Sequence, residues 1–191
     1  MIGVAWSLGA NVLVKSLGEQ AEKSPFSLVF SISNPLDFLA SSEYMKNGWI
    51  QRKLYSRGLV SGLLEYAKRH KDMFLKIKGI DYEKLLLSKS VYEFDSRATT
   101  IAFGYDSVED YYKAASSSQF LPKVRVPLLL INAPDDPIIP LSAIPFDKSH
   151  NDNVVFMITQ TGGHCGFKDF RFCTWVDSVV VDIIKDFLSQ K

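Results

Sequence analysis

The run Val126-Pro127-Leu128-Leu129-Leu130-Ile131-Asn132-Ala133 constrains the fold more than any other stretch, because it is apolar at consecutive positions and not at alternate ones. A strand of this kind must be covered on both faces, which is the condition of strands in parallel sheets layered between helices. Two further runs, Ser27–Ser33 and Asn153–Thr159, and a stub, Ile2-Gly3-Val4-Ala5-Trp6, are rich in strand formers. Between them the period becomes helical. Leu8–Leu17 aligns Leu8, Val12, Leu13 and Leu17 on one face, with Gly18 placed to stop the helix. Leu36–Gln119 is helical in character, most clearly at Asp81–Ser88 and Val108–Ala115, with breaks expected at Gly48, Gly58, Gly62, Gly79 and Gly104. Trp175–Ser189 closes the chain as an amphipathic helix with Trp175, Val179, Ile183 and Leu188 on its inner face. The expectation is a single α/β domain over residues 1–191, with a mostly parallel sheet and a helical insertion at about 36–119. Sheets average about five to six strands, so a sheet whose first strand is a stub at residue 2 is expected to lack N-terminal strands.

Composition narrows the class. The 191 residues carry 22 Lys plus Arg against 21 Asp plus Glu, a net charge of +1, which excludes the basic excess of a nucleic-acid binder. A hydrophobic share of 47% with 23% charged residues excludes a disordered chain. No apolar stretch approaches the roughly 20 residues that span a bilayer, and the first residues lack the basic start and long apolar run of a signal peptide. Two cysteines, Cys165 and Cys173, do not make a disulfide framework. As it stands the chain reads as neutral, soluble and cytoplasmic. No His/Cys spacing fits a metal site and no cofactor is expected.

Three loops carry groups capable of chemistry, each at the end of its own strand. The stub strand passes through Ala5-Trp6-Ser7-Leu8-Gly9 straight into a helix, the strand–Ser–helix junction of a nucleophile elbow, with Ala5 where the usual pattern has glycine. The sharp turn is expected to demand small residues two before and two after the serine. Ser-x-Gly before a helix also serves as a plain N-cap. The second loop is Asn132-Ala133-Pro134-Asp135-Asp136-Pro137-Ile138-Ile139-Pro140. An aspartate here can hold a histidine tautomer, or simply form a turn. Asp136 is preferred because it directly precedes Pro-Ile-Ile-Pro, and Asp135 stays open. The third is Thr161-Gly162-Gly163-His164, whose glycines let the backbone present the histidine at the strand edge. His70, in a Lys/Arg-rich helical stretch, and His150, in a polar loop, are poorer placements for a general base. The order Ser, Asp, His is that of the α/β-hydrolases and of no other common serine hydrolase fold.

More segments follow in the same order: Ser7-Leu8-Gly9-x-Asn11, Ser33-x-Pro35-Leu36-Asp37, Phe94-Asp95-x-x-x-Thr99, Phe103-Gly104-Tyr105, Tyr111-Tyr112-x-x-x-Ser116, Asp135-Asp136-Pro137, Gly162-Gly163-His164-x-Gly166-Phe167 and Trp175. Together they resemble the AB hydrolase 4 (YheT-like) branch of the α/β-hydrolases, which includes the animal abhydrolase-domain lipases and the yeast medium-chain ester synthase/esterases. The resemblance covers nearly the whole chain. It implies a serine esterase or lipase acting on phospholipids, monoacylglycerols or medium-chain esters, with Ser7 as nucleophile, His164 as base, Asp136 as its orienting acid and the Leu8 N–H as half of the oxyanion hole. It also implies that Met1 falls well inside the family's domain, beyond the upstream oxyanion loop, the early strands and the membrane anchor (endoplasmic reticulum type) of many full-length members. Such a truncated chain is expected to be poorly soluble and weakly active.

Two alternatives use the same residues: an inactive fragment that retains the triad, and an acyltransferase that resolves the acyl-enzyme with an alcohol. The cluster Lys68-Arg69-His70-Lys71, with Lys76 and Lys78, reads as a solvated helix face or as a contact with a membrane surface. Phe38, Tyr44, Trp49, Tyr55, Tyr111 and Tyr112 read as core aromatics or as the lining of an acyl pocket. The partner expected is a lipid or small ester substrate. Chain length, head group and oligomeric state are not encoded in any motif.

Overall fold

Strands β1 (Ile2–Trp6), β2 (Leu28–Ile32), β3 (Leu128–Asn132) and β4 (Val154–Ile158) lie side by side in chain order, and every pair is parallel. The computed structural model describes the chain except residues 50, 147–149, 169–173 and 191 and the side chains of 51–53. Cys173 is among the residues outside the description. Helices α1 (Ser7–Gln20), α2 (Phe38–Asn47), α3 (Arg57–Arg69), α4 (Lys71–Lys76), α5 (Tyr82–Leu86), α6 (Val91–Phe94), α7 (Thr100–Phe103), α8 (Val108–Ala115) and α9 (Trp175–Ser189) complete the pattern. The chain forms two compact units, one of residues 1–36 with 117–191 and one of residues 37–116.

In the first unit the sheet is the expected parallel one, and burial refines the reading of its strands. β2 is buried at every position, as an interior strand should be. Among the described residues β4 pairs with β3 alone, so Val155 is 56% exposed and the strand is not covered on both faces. One side of the sheet packs Leu28, Phe30, Ile32, Ile131 and Ala133 against Phe167 and against Val176 and Val180 of α9. That places the inner face of α9 at Trp175, Val176, Val180, Ile183, Ile184 and Phe187; Trp175 and Ile183 lie there as expected, whereas Leu188 is exposed.

Helix α1 also departs from its predicted face. Its buried positions are Ala10, Asn11, Val14, Leu17 and Gly18, while Leu8 and Val12 face solvent. Gly18 does not stop the helix, which runs on to Gln20 and ends where Ala21 turns to φ +47°. Its smallness has another cause. A Cβ there would sit 2.5 Å from both the Cβ and the carbonyl oxygen of Phe120, so the helix and the segment Ser117–Lys123 touch through a glycine. At Gly9 a Cβ would meet nothing within 4 Å, so crowding does not require a small residue two after Ser7.

The helical unit has its own core of Val60, Ala67, Phe74, Tyr82, Leu85, Phe94 and Ala98. Gly58 and Gly62 lie inside α3 and do not break it; Gly104, at φ +74°, is the left-handed residue that ends α7. Asp37, Asp81, Ser90 and Ser107 cap the first turns of α2, α5, α6 and α8 by accepting backbone N–H bonds. α6 and α7 are joined by a π-helical turn, Asp95–Thr99, around a polar centre. Thr99 Oγ1 donates to Asp95 Oδ1 at 2.6 Å and the Tyr112 hydroxyl to Asp95 Oδ2 at 2.8 Å. Burial pushes the Asp95 carboxyl above its ordinary range, against the lowering effect of those two bonds. The Phe94-Asp95-x-x-x-Thr99 motif is therefore the polar anchor of this unit. Phe38 and Tyr112, read as core aromatics or as pocket lining, pack edge to face with centroids 5.8 Å apart.

These contacts assign opposite signs to two glycine-to-alanine changes in α1. Gly18→Ala is expected to destabilise the chain by about 1–3 kcal/mol through overpacking against Phe120. Gly9→Ala is expected to stabilise it by about 0.5–1 kcal/mol through helix propensity alone. Urea unfolding midpoints of the two variants check both.

Candidate active site

Ser7 stands where β1 turns directly into α1, with φ +50°, a left-handed conformation that costs a non-glycine residue about 1–3 kcal/mol. The turn carries the side chain off the carboxyl end of the strand and starts the helix at once. Trp6, at the N-cap, supplies no side-chain bond, so the N–H groups of the first turn, that of Leu8 among them, are not capped. The positive end of a 14-residue helix lies at the serine.

The other two groups arrive from β3 and β4. Ser7 Oγ lies 2.9 Å from His164 Nε2, and His164 Nδ1 lies 2.9 Å from Asp136 Oδ2. Asp136 is 2% exposed, and its second oxygen accepts the N–H groups of Ile138 and Ile139 at 2.8 and 3.0 Å. An ionised carboxylate only accepts, so the proton of the neutral imidazole sits on Nδ1 and Nε2 is left to accept from the serine hydroxyl. Burial alone would lower the His164 pKa, but the bonds to Asp136 and Cys165 outweigh it and push the ring up to about 9. The arrangement can thus move a proton from the Ser7 hydroxyl to a ring whose charged form is already favoured.

Asp135, left open by the sequence, does not touch the ring. It is exposed, and its Oδ1 accepts the N–H groups of Gly162 and Gly163 at 2.8 and 2.9 Å. Ser33, the residue after β2, has a fully buried side chain whose Oγ accepts the Cys165 N–H at 3.1 Å. The doubled aspartate and the paired glycines are the sequence signals of the Asp135 contact; nothing near Ser33 in the sequence marks its bond to Cys165. Gly162 is required sterically, since a Cβ there would lie 2.5 Å from the Phe167 ring and 2.9 Å from the Ala133 Cβ.

The remaining candidates lie elsewhere. His70 follows α3 with its ring 4.4 Å from that of Tyr66, and His150 is exposed in a loop. Asn11, part of the Ser7-Leu8-Gly9-x-Asn11 motif, accepts the Ser117 N–H at 2.9 Å and so joins α1 to the segment that follows the helical unit. Among the described residues no group of three His, Cys, Asp or Glu side chains could hold a metal ion. No described helix is long and apolar enough to cross a membrane.

No family profile matches the chain. Individual proteins do. It is 36% identical over 188 residues to the embryogenesis-associated protein EMB8 of Picea glauca, covering 95% of this chain and 41% of that one. It is 34% identical over 185 residues to phospholipase ABHD3 of Mus musculus (94% and 44%) and 31% identical over 189 residues to monoacylglycerol lipase of Saccharomyces cerevisiae (96% and 42%). The chain thus spans less than half the length of these relatives. Among solved structures, an esterase of Pyrococcus furiosus superposes with a TM-score of 0.51 at 16% identity, over 96% of this chain and 52% of that one. The monoacylglycerol lipase of Paleococcus ferrophilus also gives 0.51 at 16% identity, over 100% and 68%. The parallel sheet and its strand–serine–helix turn, together with these likenesses, give the chain the α/β-hydrolase fold, and its sequence is similar to those of abhydrolase-domain proteins.

Proposed function

We propose that the chain is the triad-bearing part of a serine hydrolase of lipid-like carboxylic esters, with residues 37–116 as a helical insert in its domain. The observation that carries this reading is the continuous contact Ser7–His164–Asp136, 2.9 Å at each step. The substrate class draws its support from relatives named as a phospholipase and as monoacylglycerol lipases. Ser7 Oγ attacks the ester carbonyl carbon while its proton passes to His164 Nε2. Asp136 stays ionised and steadies the imidazolium through Nδ1–H. The Leu8 N–H, at the positive end of α1, donates to the carbonyl oxygen as it gains charge. His164 then returns the proton to the departing alkoxide, leaving an acyl ester on Ser7. Water adds to that ester, its proton goes to His164, the acid leaves and Ser7 is restored. An alcohol in place of water would transfer the acyl group, and product analysis with ethanol present separates the two.

For phospholipid or monoacylglycerol substrates the partner would be a lipid surface. The stretch 46–78 carries nine Lys or Arg against two acidic residues, and it exposes Trp49, Leu59, Tyr66, Met73 and Leu75. We infer that this stretch meets anionic headgroups. Sedimentation with phosphatidylserine-containing vesicles should show binding that falls with salt and is reduced in Lys68→Glu/Arg69→Glu/Lys71→Glu. Binding of that variant to phosphatidylserine-containing vesicles equal to its parent's would remove the inference.

A fluorophosphonate probe should label Ser7, and Ser7→Ala should abolish the label. Asp136→Asn should lower turnover by about 10³–10⁴-fold through the wrong histidine tautomer. Labelling that persists in Ser7→Ala rejects the nucleophile, and an unlabelled folded wild type favours the inactive fragment.

The pH dependence has a definite sign. His164 is charged below its raised pKa, so kcat/KM should rise with pH through a limb near 9. In Asp136→Asn, with a main raising contribution gone, the limb of the residual activity should move to lower pH. The same pair stabilises the fold fully below pH 6.5, the ring's ordinary value, and that contribution is lost as pH rises through about 9. Melting temperatures across this window provide an independent check.

A further inference from the structure

We propose that Asp135 is a positioning residue for the general base, holding the backbone that enters His164 while Ser33 holds the backbone that leaves it. The proposal rests on the triad reading above and adds a task that the triad does not describe.

His164 sits in a loop with unusual backbone demands. Gly163, Cys165 and Phe167 all have left-handed φ values, +58°, +62° and +43°. A backbone of this shape has no helix or strand ladder to hold it, and its N–H groups need partners from elsewhere. They come from two other strands. The N–H groups of Gly162 and Gly163 converge on one oxygen of Asp135, just after β3, and the Cys165 N–H reaches Ser33 Oγ at the end of β2. The loop also closes on itself, since the Phe167 N–H donates to Gly162 O at 2.8 Å. The residues on both sides of the histidine are thereby referenced to the interior of the sheet.

The neighbouring aspartates divide two tasks. Asp136 points inward and fixes the tautomer and rotation of the ring. Asp135 points outward and fixes where the ring begins. Two consecutive N–H groups converging on an anionic oxygen form a small nest, a favourable geometry for a carboxylate. An amide oxygen at the same place has two lone pairs and can accept the same bonds. The oxygen is therefore the part that matters, and asparagine should substitute where alanine cannot. Releasing the loop by about 1 Å would separate Nε2 from Ser7 Oγ, a displacement worth about 10²-fold in rate.

The test compares Asp135→Ala, Asp135→Asn and Ser33→Ala with the unmodified chain, by fluorophosphonate labelling kinetics and by NMR titration of the His164 ring nitrogens. Asp135→Ala should slow labelling by about 10–100-fold, with the saturating rate falling and the half-saturating probe concentration little changed. Its His164 midpoint should drop from about 9 as the ring leaves Asp136. Asp135→Asn should stay within a few-fold of the parent in both readouts, and Ser33→Ala should fall between. Asp135→Ser, polar but too short to reach both amides, must behave like Asp135→Ala and replaces it if the alanine variant does not fold. An Asp135→Ala chain matching its parent in midpoint and rate overturns the proposal, as does Asp135→Asn falling as far as Asp135→Ala. If Ser7 of the parent is not labelled, the triad reading fails, and the ring titration still decides whether Asp135 positions His164.

Discussion

Parallel pairing of four short strands brings their carboxyl ends to one edge, with Trp6 beside Ile32, Ile32 beside Ile131 and Asn132 beside Ile158. Each residue with a part in the site stands just past one of those ends: Ser7 after β1, Ser33 after β2, Asp135 and Asp136 after β3, and His164 after β4. Antiparallel pairing of any two strands would send one group to the opposite edge. The ladder therefore does more than satisfy buried amides. It sets the distances among groups that are far apart in the chain, and loops of only a few residues complete the approach.

A buried charge gives the site its stiffness. The Asp136 carboxylate is almost entirely removed from water, which is tolerable only because two backbone N–H groups and the imidazole satisfy it. Removing any of those partners would leave a polar group unpaired at a cost of about 1–3 kcal/mol, so the loop after β3 has one well-defined shape. The same bond favours the charged ring, and it makes the ring's protonation and the local stability depend on a single group. Ser7, held at a strained φ, and the left-handed residues around His164 show where the fold gives up backbone comfort for placement.

The helical unit is organised differently. Helices too short to be stable alone enclose its apolar core, and a buried polar centre, Asp95 with Thr99 and Tyr112, ties the π-helical turn to α8. Burial and the Asp95 charge both push the Tyr112 phenol upward, so the hydroxyl stays neutral and donates to the carboxylate.

The sequence by itself determined what short-range patterns can carry. Consecutive apolar residues marked β2 and β3, the strand–serine–helix junction marked Ser7, and a glycine pair marked the turn into His164. Trp175–Ser189 was legible to the residue. Local patterns misjudged what depends on a distant neighbour. The apolar side of α1 was misplaced because Leu8 and Val12 read as core, whereas Asn11 is buried by its bond to Ser117. Gly18 read as a stop signal because nothing nearby in sequence announces Phe120. The two aspartates were indistinguishable as residues, and only the fold turned one into the interior and the other toward Gly162 and Gly163. Ser7 and His164 are 157 positions apart; periodicity reaches across a few turns of chain, and contact across that separation is decided by how the sheet pairs.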